Sequence, residues 1–145
     1  MNDKIKEILL KYKTIAMIGV SKDQTKASSI VMRYMQKYGF KVIPVNPSAK
    51  SEKILGEKVF EKLEDIKIPI DIVDVFRPSA EAIKYAEGSI KIGAKVLWLQ
   101  LGIKNGIAKE LVESNNIEYI ENRCTKMEYQ KVFLKINPAF PVLQD

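Results

Sequence analysis

Short apolar runs alternate with segments of helical periodicity along the chain, and length and flanking residues separate the two patterns. Thr14–Val20, Lys41–Val45, Ile70–Phe76, Val96–Leu101 and Ile117–Ile120 are rich in Ile and Val and bounded by Gly, Asn, Pro or charge, which predicts five strands. Their apolar residues are continuous instead of alternating with polar ones, as in strands buried on both faces. Between them, Ile30, Val31, Tyr34, Met35 and Tyr38 fall on one face of a helix that Gly39 ends. Ala80, Ile83, Ala86 and Ile90 predict a second apolar stripe, begun by Pro78 with a cap at Ser79 and stopped near Gly93. Ile107, Ala108, Leu111 and Val112 repeat the pattern.

Two amphipathic segments flank this series: Ile5, Ile8, Leu9 and Tyr12 at the amino end, and Met127–Leu134 ahead of Asn137-Pro138-Ala139-Phe140-Pro141. Residues 48–65 are less regular, and Gly56 with Val59, Phe60 and Leu63 predicts a loop and a short helix. Parallel strands need crossover connections, and those crossovers are right-handed. The order of elements therefore predicts an α/β, Rossmann-like, doubly wound parallel sheet of five strands with helices on both faces. In such sheets ligands bind beyond the carboxyl ends of the strands, which directs attention to the five turns there.

At 145 residues the chain is expected to form one domain, residues 1–145, and 46% apolar residues suffice for a real core. Ile15–Val20 is the longest apolar stretch and is far below the roughly 20 residues of a membrane span. The amino terminus mixes Asp3 and Glu7 with lysines and has no secretory apolar region, so a cytoplasmic protein with no membrane partner is expected. Histidine is absent and Cys124 is the single cysteine. These two facts remove histidine-based triads, phosphohistidine chemistry and most zinc sites, so no metal is expected. The net charge of +6 favours an anionic partner, but the basic residues are scattered among acids. Nucleic acid is disfavoured, because no Lys/Arg run is interleaved with aromatics.

The first turn carries the clearest chemistry. Gly19-Val20-Ser21 leads through Lys26 to Ser28 at the start of a helix, where free backbone N–H groups and the helix dipole favour a phosphate. Gly19 permits close approach, Ser21 and Ser28 supply hydroxyls, and Lys26 supplies charge; the plainer alternative is a βα turn with a serine cap. The turn departs from Gly-x-Gly-x-x-Gly, and Asn46 stands where a dinucleotide site places an acidic residue for the ribose. Both departures count against NAD. A Gly-x4-Gly-Lys-Ser/Thr loop is also missing.

Together with Gly19-Val20-Ser21 and Lys26-Ala27-Ser28, the segments Val42-Ile43-Pro44-Val45-Asn46-Pro47, Leu55-Gly56-Glu57, Val73-Asp74-Val75-Phe76-Arg77, Ala94–Gly102 and Asn122-Arg123-Cys124 occur in an order that resembles the stand-alone CoA-binding domain family. That family is related in fold to the CoA-binding domain of succinyl-CoA synthetase. The resemblance implies that coenzyme A or an acyl-CoA lies across the carboxyl edge of the sheet. Its diphosphate would lie over Gly19-Val20-Ser21 and its adenosine near Asn46-Pro47, with Lys26, Lys50 or Arg77 neutralising phosphate. Val75, Phe76, Arg77, Gln100 and Gly102 would then sit at the mouth, along the pantetheine arm. Trp98, in mid-strand, is left to the core.

The chain departs from the family at two places. Lys26-Ala27 stands where members commonly show Arg-Pro, exchanging a two-pronged donor for a point charge, and Tyr129 stands where members often have histidine after Glu128. Ligase chemistry through a phosphorylated histidine cannot be carried over. The expectation is a CoA-binding module, regulatory or delivering CoA to a protein partner, with no chemistry of its own. Two alternatives remain: an enzyme acting on acyl-CoA through Cys124 or Asp74, and an NAD-type domain. Cys124 itself has two readings, a buried inert thiol or a thiolate favoured by Arg123 that exchanges with CoA disulfide.

Overall fold

The computed structural model describes residues 2–49 and 52–138. In chain order the elements are α1 (Asn2–Lys11), β1 (Thr14–Ile18), α2 (Ala27–Lys37), β2 (Lys41–Val45), β3 (Lys53–Ile54), β4 (Glu57–Lys58), β5 (Ile72–Val75), α3 (Ala82–Ile92), β6 (Val96–Leu99), α4 (Gly106–Glu113), β7 (Glu118–Ile120) and α5 (Thr125–Tyr129). Five strands form one sheet in the order β2-β1-β5-β6-β7, and every pairing within it is parallel. This is a Rossmann-like α/β sheet, wound in one direction from β1 to β2 and in the other from β1 through β5 to β7.

Alternation along each strand divides the core in two. Ile15, Met17, Ile72, Val96, Trp98 and Ile120 meet Ile5 and Leu9 of α1, Val31, Met32 and Met35 of α2, and the start of α5. Ala16, Ile18, Val73, Val75, Leu97 and Leu99 meet Ala82 and Ala86 of α3 and Ala108 and Val112 of α4. Each fully buried Leu or Ile contributes roughly 1.5–3 kcal/mol relative to exposure. Trp98 is fully buried and donates its indole N–H to the Arg123 carbonyl at 2.7 Å, which satisfies its one polar atom.

Several boundaries differ from the pattern in the sequence. The β1 ladder stops at Ile18 because Gly19 turns the chain at φ +88°, and β5, β6 and β7 are also shorter than their apolar runs. Residues 48–65 hold a hairpin: β3 and β4 are antiparallel and joined by Leu55 and Gly56, both at positive φ (48° and 84°), as a tight two-residue turn requires. The expected short helix is reduced to a 3-10 turn at Leu63–Asp65.

The buried face of α3 consists of Ala82, Tyr85, Ala86, Gly88 and Ser89; of the expected Ala80/Ile83/Ala86/Ile90 stripe, Ala86 is fully buried and Ile90 packs against the core in part, while Ala80 is exposed. Small side chains allow a close approach here, and a Cβ on Gly88 would lie 3.0 Å from Leu63 Cδ2. Ser79 does not cap this helix; its hydroxyl accepts from the Lys104 N–H at 3.1 Å. The terminal helix begins at Thr125 and passes after Tyr129 into a π-helical stretch, Gln130–Leu134, and of the Asn137–Pro141 segment residues 139–141 lie outside the described residues. Among the described residues no helix is long and apolar enough to cross a membrane.

Candidate functional site

The reversal of winding between β1 and β5 parts the loops that follow them, and a cleft of about 180 Å³ opens at that point. Ile18 and Gly19 contribute its β1 side, and Asn46, Pro47 and Ser48 contribute the chain that leaves β2. Arg77, Glu81, Lys84 and Tyr85 complete it from the β5–α3 connection and the first turn of α3. The structure therefore joins Gly19, Asn46, Pro47 and Arg77 in one cleft, four of the residues expected from the sequence.

Hydrogen bonds hold the β1 and β2 ends together. Gly19 N–H donates to the Val45 carbonyl at 2.8 Å, and the Asn46 amide donates to the Val20 carbonyl at 2.8 Å. Asn46 Oδ1 in turn accepts from Ser48 N–H at 2.9 Å, so this side chain braces two loops. Pro47 is exposed beside it and offers a flat apolar surface.

The β1–α2 turn is folded onto the start of its helix. Ser21 N–H donates to Ser28 Oγ at 3.0 Å, and Asp23 N–H donates to Ser21 Oγ at 3.0 Å. Asp23 accepts from Thr25 N–H and from the Thr25 hydroxyl, which hold its carboxyl below the usual range. Lys26 occupies the N-cap position of α2 in an extended conformation and is exposed. The first N–H groups of α2 have no partner within the helix, and an anion at this end is favoured by the dipole. Val20 is fully buried, so its backbone and not its side chain is what the turn presents.

Arg77 makes a two-pronged pair with Glu81, Nε to Oε1 at 3.1 Å and Nη2 to Oε2 at 2.9 Å. The pair holds the Glu81 carboxyl below its ordinary range and raises the Arg77 guanidinium further. Burial raises the Tyr85 phenol, and the nearby Glu81 charge adds to that. The sequence reading did not single out Ser48, Glu81, Lys84 or Tyr85. Arg77, Glu81, Lys84 and Tyr85 lie at i, i+4, i+7 and i+8, a helical spacing that would have revealed a polar face beside the apolar stripe.

The remaining expected residues are placed elsewhere. Val75 is fully buried and Gln100 is 2% exposed. The Gln100 amide donates to Asp74 Oδ1 at 2.6 Å and to Thr125 Oγ1 at 3.1 Å, and Thr125 Oγ1 lies 3.3 Å from Asp74 Oδ2. Phe76 is half-buried against the core, and its N–H extends the ladder to the Ile18 carbonyl. Gly102 is exposed at φ +84°, its N–H donating to Asn122 Oδ1 at 2.6 Å. Asn105 caps α4, accepting from Ala108 N–H at 3.0 Å. Lys50 lies outside the described residues.

The two groups considered for chemistry are both enclosed. Asp74 is fully buried, and desolvation pushes its carboxyl up to about 7 in spite of its hydrogen bonds. Cys124 is 2% exposed, and burial pushes its thiol up to about 11. Arg123 does not serve that thiol; its guanidinium reaches Glu128 at 3.4 Å. Tyr129 packs among aromatic rings, with the Tyr38 and Phe133 centroids each 4.8 Å away.

Fold and cleft together define a Rossmann-like α/β domain with a cation-bearing cleft at its switch point. The chain belongs to the CoA binding domain family, whose sequence model matches residues 13–130. It is 37% identical over 125 residues to the uncharacterized protein YneT of Bacillus subtilis, covering 86% of this chain and 91% of that one. It is 28% identical over 140 residues to the ADP-forming acetate–CoA ligase of Methanocaldococcus jannaschii, covering 87% of this chain and 20% of the ligase. A hypothetical protein from Pyrococcus horikoshii has the same architecture, with a TM-score of 0.87 at 34% identity, over 91% of this chain and 92% of that one.

Proposed function

We propose that this chain binds coenzyme A or an acyl-CoA at the switch-point cleft and acts as a binding module without chemistry of its own. The observation that carries this reading is the cleft itself. It combines a close-approach glycine, an apolar surface at Pro47 and two cationic side chains, Arg77 and Lys84, in a chain of the CoA-binding domain family. In this reading the β1–α2 turn is a phosphate-binding loop. Helix N–H groups and Lys26 take the diphosphate while Pro47 supports the adenosine. A binding role is supported by the burial of Asp74 and Cys124, since a reacting group must reach its substrate.

Thermal unfolding and calorimetry with CoA, acetyl-CoA, NAD and ATP test the reading. Ligand at 100 times its dissociation constant stabilises by about 2.7 kcal/mol, a clear rise in Tm. CoA and acetyl-CoA are expected to give that rise, and Lys26→Ala to weaken it by roughly 1–3 kcal/mol in affinity. A response to NAD with none to CoA would overturn it.

A further inference from the structure

The Arg77–Glu81 pair occupies the cleft in a way that bears on how the site is regulated. Both residues line it, and the Arg77 stem lies across the β1 turn, with Cδ 2.9 Å and Cγ 3.4 Å from the place a Cβ on Gly19 would take. Two of the five guanidinium donors are committed to Glu81 in the planar, side-on geometry that a phosphate would also take. Lys84, three residues beyond Glu81, lines the same cleft. An arriving polyanion therefore meets a carboxylate already seated on its best cation.

We propose that Glu81 is a built-in competitor of the ligand's phosphate: its carboxylate holds Arg77 across Gly19 and is displaced when a ligand phosphate takes over the guanidinium. The proposal rests on the CoA-binding reading and adds to it a reason for tuned affinity. Glu81 and Arg77 are both partly exposed, with side-chain exposures of 37% and 47%, so breaking their contact is cheap and reversible. Exchange of one oxyanion for another on the same two donors leaves no buried charge unpaired. A phosphate thus enters the cleft by an exchange of partners on Arg77.

Calorimetric titration of CoA into wild type, Glu81→Gln, Arg77→Ala and the double variant decides the matter. Gln at 81 keeps an acceptor for Arg77 and removes the competing charge. Glu81→Gln is expected to bind CoA roughly two- to fivefold more tightly, the range of an exposed ion pair, and the gain should shrink with added salt. In the Arg77→Ala background the same substitution is expected to change little, because the competition runs through the guanidinium. Unchanged or weaker CoA binding by Glu81→Gln overturns the proposal, and weaker binding would mark Glu81 as a residue that positions Arg77 instead. No CoA binding by wild type or any variant removes the underlying reading, and this inference with it. Melting temperatures of all four proteins establish that each is folded.

Discussion

Gly19 and Arg77 are in contact across the switch point: a Cβ on residue 19 would lie 2.9 Å from Arg77 Cδ and 3.0 Å from the Phe76 carbonyl oxygen. The arginine stem can move aside, but the carbonyl cannot move freely. The Phe76 N–H is part of the β1–β5 ladder, bonded to the Ile18 carbonyl at 2.9 Å. Gly19 also has φ +88°, a conformation that disfavours any side chain.

Gly19→Ala is therefore expected to cost about 1–3 kcal/mol of stability and to weaken CoA binding, because the loop after β5 must shift. Gly106→Ala is the control. It lies at the start of α4 with nothing within 4 Å of its would-be Cβ, and Ala there is expected to be neutral or slightly stabilising. Thermal unfolding and CoA titration of both variants check this, and an unchanged Tm for Gly19→Ala would refute the steric argument.

The parts of the fold legible in the sequence are those fixed by periodicity and by one strong local signal. Continuous Ile and Val runs located all five parallel strands, and Gly39 and Gly93 marked helix ends that the structure realises at φ +94° and +73°. The hairpin of β3 and β4 was not legible, since two-residue strands carry no period and Leu55 is an unusual residue at positive φ. On α3 the apolar stripe locates Ala86 and part of Ile90, but not the rest of the buried face, because Ala82, Gly88 and Ser89 bury it by permitting close packing and contribute little to an apolar stripe. In the candidate site, residues in turns after β1 and β2 could be read from chain order. Lys84 and Tyr85 share a helical spacing with Arg77 and Glu81, but which wall that face meets is set by how α3 is rotated against the sheet, and chain order does not give that rotation. Gln100 follows a strand like the others, yet its amide is drawn inward by a buried carboxylate that sequence position does not reveal.

Cys124 is expected to be inert in the folded protein. It is nearly inaccessible, its thiol is held well above the usual range by burial, and Arg123 is engaged by Glu128. Exchange with a disulfide needs an accessible thiolate. Intact mass spectrometry after incubation with CoA disulfide should show no adduct on the native protein and a reducible adduct once denaturant exposes the thiol. A rapid adduct on the native wild type, absent from Cys124→Ser, would restore the thiol-responsive reading.

Asp74 links the β5 and β6 ends to α5 through Gln100 and Thr125, and its burial makes folding sensitive to pH. In the folded chain its carboxyl titrates near 7, against an ordinary value of 3.8. Below about pH 4 both folded and unfolded chains hold the proton, and the group has no net effect. From there to about pH 7 the folded chain keeps a proton that the unfolded chain has lost, so stability falls as pH rises. Above that window both states are ionised, and the cost of the buried charge, on the order of a few kcal/mol, is present in full. Asp74→Asn removes the charge and keeps both contacts: its Oδ1 can accept from Gln100, and its Nδ2 can donate to Thr125 Oγ1, reversing the bond in which that hydroxyl donates to Asp74 Oδ2. The difference in Tm between Asp74→Asn and wild type should therefore be small or negative near pH 4, grow through pH 5 to 7, and level off above it. Melting curves of the two proteins across that range measure it directly, with every other titrating group common to both. A difference that does not change with pH would mean that Asp74 is ionised across the whole range, its hydrogen bonds from Gln100 and Thr125 outweighing its burial.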